Sequence, residues 1–138
     1  MRNKDKMLRI LSKMKVACGI MCDKTGKILM GLRSNKGANP YYWEFPGGKC
    51  ENGETLEECL HREWKEELNL DIEIQKLLHV TQQDWIECYF YVGKIKNLGA
   101  LRINVHEYIG FYHIDELYNL RLFEGDELLI PLLKIDQK

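Results

Sequence analysis

The segment from Gly47 to Leu70 reads GGKCENGETLEECLHREWKEELNL, and its pattern organises the interpretation of the whole chain. A large apolar residue recurs at every fourth position of its second half: Leu56, Leu60, Trp64 and Leu68. At about 100° per residue these side chains form one apolar stripe about 120° wide. Thr55 followed by Glu58 fits a capping box. The segment therefore predicts an amphipathic helix over residues 55–68 whose stripe packs on a core.

Three carboxylates of this helix lie where a soluble helix rarely places them. Glu63 and Glu67 project to within about 20° of Leu56, at the edge of the apolar stripe, and Glu66 lies on the same flank. Like charges at this spacing repel one another, and burying them adds to the cost. The other glutamates of the helix fit an ordinary solvated charge run. Because a hard divalent cation removes both costs, the pattern favours a Mg²⁺ site that shares substrate phosphates.

Glycine-rich segments precede the helix. Phe45-Pro46-Gly47-Gly48 is expected to make a tight turn in which the backbone lies close to whatever fills the site, although most such sequences are plain turns. Asn52-Gly53 predicts a second turn directly before Glu54.

The same residues resemble the signature of the Nudix hydrolase family. That signature fixes nine positions over 23 residues, and eight are met here: Gly48, Glu54, Arg62, Glu63, Trp64, Glu66, Glu67 and Leu70. The exception is Asn69, where the family normally has glycine; asparagine tolerates the left-handed conformation that ends a helix. The flanking segments 28–33 and 43–49 resemble the MutT branch, as do 111–117 and 121–133 more loosely.

The resemblance implies roles for individual residues. Glu63, Glu66 and Glu67 are the expected metal ligands, joined by the carbonyl group of Gly48. Arg62 is expected to form ion pairs that orient these carboxylates, through Glu54 or Glu63, with an exposed helix cation as the alternative. Glu54 is expected just outside the ligand set, and Trp64 and Leu70 in the core.

For the catalytic base and for each nucleotide contact, the sequence allows more than one interpretation. The base is either a glutamate of the signature or Glu107 in a later loop, and a solvated strand-edge glutamate is the alternative for Glu107. The MutT-like alignment implies that Phe45 packs on the base, that Arg33 reaches a carbonyl or phosphate, and that Asp126 contacts the base edge. The alternatives are a core position for Phe45, a surface position for Arg33 and a helix cap for Asp126.

The activity implied by the resemblance is hydrolysis of a nucleoside triphosphate, including an oxidised one such as 8-oxo-dGTP. The products would be a nucleoside monophosphate and pyrophosphate, with Mg²⁺ as cofactor and Mn²⁺ as a substitute. The alternatives are hydrolysis of ADP-ribose, a nucleotide sugar or a dinucleoside polyphosphate, and a non-catalytic nucleotide-sensing module. The sequence leaves the preferred nucleotide and the oligomeric state open, the latter between monomer and homodimer.

Composition narrows the class of protein. The 138 residues suit one domain, residues 1–138, and the formal net charge of -1 offers no basic field for nucleic acid. No apolar run reaches the roughly 18 residues of a membrane span. Five cysteines and the lack of a secretory signal predict reduced thiols in the cytoplasm. The basic residues within 1–14 are expected to form a flexible segment.

Strand patterns surround the helix at 16–22, 27–33, 43–45, 70–80, 85–94 and 108–113. A helical turn is expected at 114–119 and a C-terminal helix at 126–133. This order predicts an α/β (α+β) fold built as a mixed sandwich. The family resemblance specifies it as an α/β/α sandwich with a mixed central sheet.

Overall fold

The structure is a computed structural model that describes residues 13–136. The basic segment expected at 1–14 lies outside the described residues as far as residue 12, and Met14 already begins the first strand. Within 13–136, no helix is long and apolar enough to cross a membrane.

Residues 13–136 form seven strands and two α-helices. In chain order they are β1 Met14–Cys22, β2 Ile28–Leu32, β3 Trp43–Glu44, β4 Gly47–Lys49, α1 Leu56–Leu68, β5 Ile72–Gln83, β6 Ile86–Ile95, β7 Tyr108–Tyr112 and α2 Leu129–Asp136. Short 3-10 helices cover Leu98–Ala100, Ile114–Asn119 and Asp126–Leu128. The predicted C-terminal helix therefore begins as a 3-10 turn and ends three residues later than expected.

The strands form one mixed sheet, as predicted. Its main path runs β3-β2-β1-β6-β5, with β4 also paired to β1 and β7 to β2. The long β1–β6 pairing is parallel, and the other strand pairs are antiparallel. A parallel pair needs a long connection, and here that connection contains α1 and the β5 strand.

The two helices cover opposite faces of this sheet. Ala17 and Met21 of β1 pack in a core that includes Leu60 and Trp64 of α1. Ile20, between them in the strand, packs instead in a second core that includes residues of α2. Side chains alternate across a strand, so β1 contributes to both cores. The predicted α/β/α layering is confirmed.

Helix α1 begins and ends as the sequence predicts. The Thr55 hydroxyl accepts from the backbone N–H of Glu58 at 3.1 Å, and the Glu58 carboxylate accepts from the backbone N–H of Thr55 at 2.9 Å. Asn69 takes the left-handed conformation, with φ 57°, and its backbone N–H bonds to Lys65. These caps, with Trp64 and Leu68 fully buried, hold the helix in a defined register on the sheet.

The tight turn expected at Gly47-Gly48 is not formed, because these residues belong to strand β4. Gly48 pairs with Ala17 of β1 in antiparallel register. Neither glycine has a positive φ. Glycine is used here for close approach: a Cβ at Gly47 would overlap the Ala17 carbonyl oxygen, and one at Gly48 would come within 2.5 Å of the Glu63 carboxyl carbon. The segment is therefore a strand laid tightly between β1 and α1.

Candidate active site

The acidic flank of α1 faces the sheet edge, and its three carboxylates differ in exposure. The side chain of Glu67 retains 10% of its full exposure, that of Glu63 retains 16%, and that of Glu66 retains 59%. The three carboxylates of this flank therefore range from buried to exposed.

Arg62 contacts the acidic residues on both sides of the site. Its Nε and Nη2 donate to the two carboxylate oxygens of Glu54 at 2.6 and 3.0 Å. Its Nη1 lies 2.9 Å from Glu63 and 3.2 Å from Glu66, and Nη2 also donates to the Lys49 carbonyl at 3.1 Å. The sequence offered Glu54 or Glu63 as its partner, and the structure contains both pairs. Arg62 is therefore not an exposed helix cation.

The Arg62 contact changes the electrostatics of Glu54. The bidentate hydrogen bonds from Arg62, with the backbone N–H of Glu51, lower the pKa of Glu54 to about 2. Charge-assisted pairs of this fork geometry are among the stronger polar contacts in proteins. Glu54 therefore stays ionised and holds the loop before α1 against the Arg62 guanidinium.

The acidic flank holds more negative charge than Arg62 alone balances. Burial, followed by the neighbouring Glu63, Glu44 and Glu66 carboxylates, raises the pKa of Glu67 well above its usual range. Beside it, strand β4 leaves room for no Cβ at Gly48, so the backbone lies against the Glu63 carboxylate. The Gly48 carbonyl accepts from the Cys59 thiol at 3.5 Å. An all-oxygen set with excess negative charge fits a hard divalent cation.

Two further polar residues adjoin this set and were not singled out by the sequence. Glu44 Oε2 lies 2.8 Å from His106 Nε2, and Glu44 Oε1 lies 3.0 Å from Arg33 Nη1. His106 Nε2 in turn lies 3.7 Å from Glu67 Oε1. Glu44, Glu67 and His106 each offer a ligand atom, and these atoms lie within 4.8 Å of one another. Glu44 belongs to the 43–49 match, whereas His106 is marked in the sequence only by its place beside Glu107.

The loop that holds Glu107 docks on the end of α1. Asn104 donates through its backbone N–H to the Glu67 carbonyl at 3.1 Å and through Nδ2 to the Glu66 carbonyl at 2.9 Å. The Glu107 backbone N–H donates to Leu32 of β2 at 2.9 Å. Glu107 is an exposed residue of this loop.

Phe45 belongs to the protein core. Its side chain is 3% exposed, and its ring meets Phe90 edge-on with centroids 6.1 Å apart. Little of the ring is therefore free to pack on a nucleotide base. The core position, which the sequence held as the alternative, is the one that the structure shows.

Arg33 and Asp126 lie on the neighbouring surface. Arg33 donates to the Ala38 carbonyl at 3.0 Å, and its guanidinium carbon lies 5.4 Å from the centre of the Phe123 ring. Asp126 donates its backbone N–H to the Phe123 carbonyl. Both residues therefore adjoin Phe123, Arg33 through the ring and Asp126 through the backbone.

Asp126 does not act as a helix cap. The residue at the N-cap of the 3-10 turn is Gly125, and the turn has no side-chain cap hydrogen bond. Burial, followed by the charges of Glu127 and Glu44, raises the pKa of Asp126 to about 7. A half-buried carboxyl group without a capping role is available for a ligand contact.

Known proteins resemble this chain in sequence and in fold. A model of the Nudix domain matches residues 12–133. The chain is 36% identical over 90 residues to an 8-oxo-dGTP diphosphatase of Proteus vulgaris, which covers 62% of this chain and 80% of that protein. It is 39% identical over 59 residues to the nucleoside triphosphatase NudI of Enterobacter sp. (strain 638); the match covers 43% of this chain and 42% of that protein.

The fold has counterparts among solved structures. The MutT protein of Methanosarcina mazei Go1 superposes with a TM-score of 0.76 and 16% sequence identity, covering 91% of this chain and 96% of that one. At this identity the likeness concerns the fold alone, and it agrees with the mixed sheet between α1 and α2. Because the domain model spans nearly the whole chain, this protein belongs to the Nudix hydrolase family.

Proposed function

We propose that the chain hydrolyses a nucleoside triphosphate, including an oxidised one such as 8-oxo-dGTP, to a nucleoside monophosphate and pyrophosphate. Mg²⁺ is the proposed cofactor, with Mn²⁺ as a substitute. Nudix hydrolases generally use divalent metal ions. The observation that carries the proposal is the clustering of Glu63, Glu66 and Glu67 on one flank of α1 beside Gly48, where a divalent cation would balance the carboxylates and also bind the substrate phosphate.

The metal-side residues have separable tasks in this proposal. Glu63, Glu66, Glu67 and the Gly48 carbonyl would hold the ion. When bound, that ion neutralises phosphoryl oxygens and lowers the pKa of an attacking water. Arg62 keeps the Glu63 and Glu66 carboxylates directed into the site, and Glu54 holds Arg62 from the opposite side.

A general base must lie near the water that attacks phosphorus. Glu67 lies in the acidic flank, whereas Glu107 is an exposed residue of the loop that docks on α1 through Asn104. We include both as candidates. Glu107→Gln separates them, because Glu107 is not a proposed metal ligand: loss of the acidic limb of the kcat pH profile in this variant identifies Glu107 as the base, and an unchanged limb favours Glu67.

The nucleotide side consists of Arg33 and Asp126. Arg33 offers a guanidinium fixed by Glu44, suited to a phosphate or a base carbonyl. The carboxylate of Asp126 accepts hydrogen bonds and therefore favours a base edge that donates them, as guanine, 8-oxoguanine and the cytosine amino group do. Phe45 is omitted from this surface because its ring is buried.

The test is a panel of canonical and oxidised nucleoside triphosphates, nucleotide sugars, ADP-ribose and dinucleoside polyphosphates, incubated with Mg²⁺. We expect nucleoside triphosphates to give the highest kcat/KM. In ¹⁸O-labelled water the label should enter pyrophosphate and not the monophosphate, because water attacks the β-phosphorus.

Other outcomes would replace the proposal. Orthophosphate and nucleoside diphosphate as main products exclude the proposed bond. A preference for ADP-ribose or a nucleotide sugar identifies a different diphosphate substrate. Binding of nucleotide without turnover of any compound identifies a sensing module.

The proposed setting is the cytoplasm, with small nucleotides as the partners and no nucleic acid. The five cysteines carry free thiols, which is typical of a reducing compartment. A monomer or a homodimer fits the proposal, and sedimentation of the full chain distinguishes the two.

A further inference from the structure

His106 is a buried polar side chain that the family signature does not include. It is 1% exposed and lies between two carboxylates, with Nε2 2.8 Å from Glu44 Oε2 and 3.7 Å from Glu67 Oε1. The first distance is a hydrogen bond and the second is too long for one. His106 therefore bonds Glu44 and stands next to Glu67.

The partners of His106 determine which ring nitrogen carries the proton. Glu44 also accepts from Arg33 at 3.0 Å, so its two oxygens serve two different donors. Nε2 must then be a donor. Nδ1 is buried without a hydrogen-bond partner. An N–H there would be a buried donor lacking an acceptor, and a lone pair there costs less.

The backbone around His106 leaves its ring one position. Gly31 of β2 lies against the ring, and a Cβ on Gly31 would come within 2.6 Å of Nε2. The next residue, Glu107, donates its backbone N–H to Leu32, which fixes the loop beside the same strand. The ring therefore packs directly on β2, and the loop that holds it is bonded to the same strand.

The contacts form a continuous chain from the nucleotide side to the metal side of the site. Arg33 bonds Glu44, Glu44 bonds His106, and His106 adjoins Glu67. We propose that His106 is a positioning residue that keeps the Glu44 carboxylate turned toward Arg33 and apart from Glu67. The inference rests on the proposed function, because Arg33 acts there on the nucleotide.

The physical reason is the proximity of two carboxylates. The Glu44, Glu67 and His106 ligand atoms lie within 4.8 Å of one another, and His106 supplies the donor between the acids. Without that donor the part-buried Glu44 Oε2 has no hydrogen-bond partner, so the Glu44 carboxylate turns away and Arg33 loses its fixed partner. Nucleotide binding should then weaken more than the chemical step.

The matched test compares His106→Gln with His106→Asn. The glutamine amide reaches the position of Nε2, whereas the asparagine amide reaches only the position of Nδ1. We expect His106→Gln to keep KM within about threefold of the wild-type value. His106→Asn should raise KM about tenfold, the scale of a lost hydrogen bond to a charged group, with kcat changed less than about threefold.

A double-mutant cycle tests whether His106 acts through Arg33. If it does, adding His106→Asn to Arg33→Ala should raise KM no further than Arg33→Ala alone. Additive increases in KM would overturn the inference. An unchanged KM in His106→Asn, with kcat reduced only in proportion to the folded fraction, would show a merely structural role and would also overturn it.

Binding of Mn²⁺ without nucleotide, followed by electron paramagnetic resonance, provides a readout independent of turnover. His106→Asn should bind Mn²⁺ within about threefold of the wild-type affinity, whereas Glu67→Gln should bind it at least tenfold more weakly. A tenfold loss in His106→Asn would make His106 a metal ligand and overturn the positioning role. If the wild-type chain hydrolyses no nucleotide, the proposed function fails; if it does and the His106 variants match it, only this inference fails.

Discussion

At the scale of single residues, Glu67 is the carboxylate of this flank that loses its proton least readily when no cation is bound. It is buried near Glu63 and Glu44, and these surroundings raise its pKa well above the usual range. Glu66, one residue earlier, is largely exposed yet held by Arg62. The two residues thus place one buried and one accessible carboxylate on the same helix flank, as candidate ligands of the proposed metal.

We expect Glu66→Gln and Glu67→Gln each to lower kcat about 100-fold or more, on the scale of a lost charge-stabilising contact in an active site. The metal-free Glu67→Gln protein should melt at the same or a higher temperature than the wild type, because a buried like charge is removed. Steady-state kinetics at saturating Mg²⁺ and thermal melts in EDTA measure the two effects.

The control is Glu57→Gln, which neutralises an exposed carboxylate in the first turn of the same helix. It should keep near wild-type turnover. Near wild-type turnover in the Glu66 and Glu67 variants as well would refute the metal site.

In the proposed function, ionisation of Asp126 links the choice of nucleotide to the pH dependence of kcat/KM. Its pKa is raised from 3.8 to about 7, chiefly by burial. For a nucleotide whose base edge donates, kcat/KM should rise as the pH passes about 7, because the ionised carboxylate is the acceptor. Asp126→Ala should lower kcat/KM for the best nucleotide about 10- to 100-fold and alter metal dependence little. Equal losses for all nucleotides would exclude a role in choosing the base.

The raised pKa of Asp126 also predicts how the stability of the folded chain changes with pH. As the pH rises from 3.8 toward 7, the unfolded chain loses the Asp126 proton and the folded chain retains it, so the folded state becomes less stable through that window. Asp126→Asn, which has the same shape and cannot ionise, should melt about 15 °C higher than the wild type at pH 8 and nearly equally at pH 4, the scale that a pKa shift of this size sets for a chain of this length. No difference at pH 8 would contradict the burial of this carboxyl group.

At the scale of the elements, helix α1 and its caps set the geometry of the acidic flank. Arg62 joins α1 to the loop before it through Glu54 and the Lys49 carbonyl. Trp64 anchors the opposite side, since its indole N–H donates to the Pro46 carbonyl at 2.8 Å in the core. Helix α1 is thus bonded to the last residue of β4 through Arg62 and to the residue before β4 through Trp64.

Asn69 is the departure from the family signature, and its contacts explain why it is tolerated. It adopts the left-handed conformation and donates through Nδ2 to the Ala100 carbonyl at 3.0 Å. Asn69→Gly removes that hydrogen bond and relieves the left-handed strain, so stability should change by less than about 0.5 kcal/mol. Asn69→Ala loses the bond and keeps the strain, and should cost about 1–2 kcal/mol.

Urea unfolding of the three proteins measures this ranking. Turnover at a temperature where all three are folded should be unchanged, since Asn69 lies outside the ligand set. Destabilisation by glycine equal to that by alanine would mean that the Ala100 bond dominates over the backbone conformation.

At the scale of the whole molecule, the sheet brings the nucleotide-side and metal-side residues together. The β2–β7 pairing aligns Leu32 with Tyr108, which carries the loop of His106 and Glu107 to the end of β2. The β1–β4 pairing carries Gly48 to α1. The stability of the folded chain and the occupation of the metal site are therefore coupled.

This coupling predicts that divalent metal stabilises the fold. At a Mg²⁺ concentration 100-fold above Kd, ligand linkage contributes about 2.7 kcal/mol, which corresponds to a Tm increase of about 10 °C for a chain of this length. Differential scanning calorimetry with Mg²⁺ or EDTA measures the shift, and Glu67→Gln should abolish most of it. An equal shift in wild type and variant would mean that the stabilising ion binds elsewhere.

The sequence by itself determined the helix and its acidic flank. The 3.6-residue period, the capping box at Thr55 and the left-handed Asn69 are local features that act within a few residues, so the structure repeats them. The contact of Arg62 with Glu54 and Glu63 follows from the same local geometry.

Only the tertiary structure decided what surrounds that flank. Glu44 and His106 are 62 positions apart and meet because β2 pairs with both β3 and β7. Gly47-Gly48 became a strand and not a turn because β1 offered it a pairing edge, and Phe45 became core because Phe90 lies against it. Local patterns carry no information on such pairings, since strand register is set by contacts between distant segments of the chain.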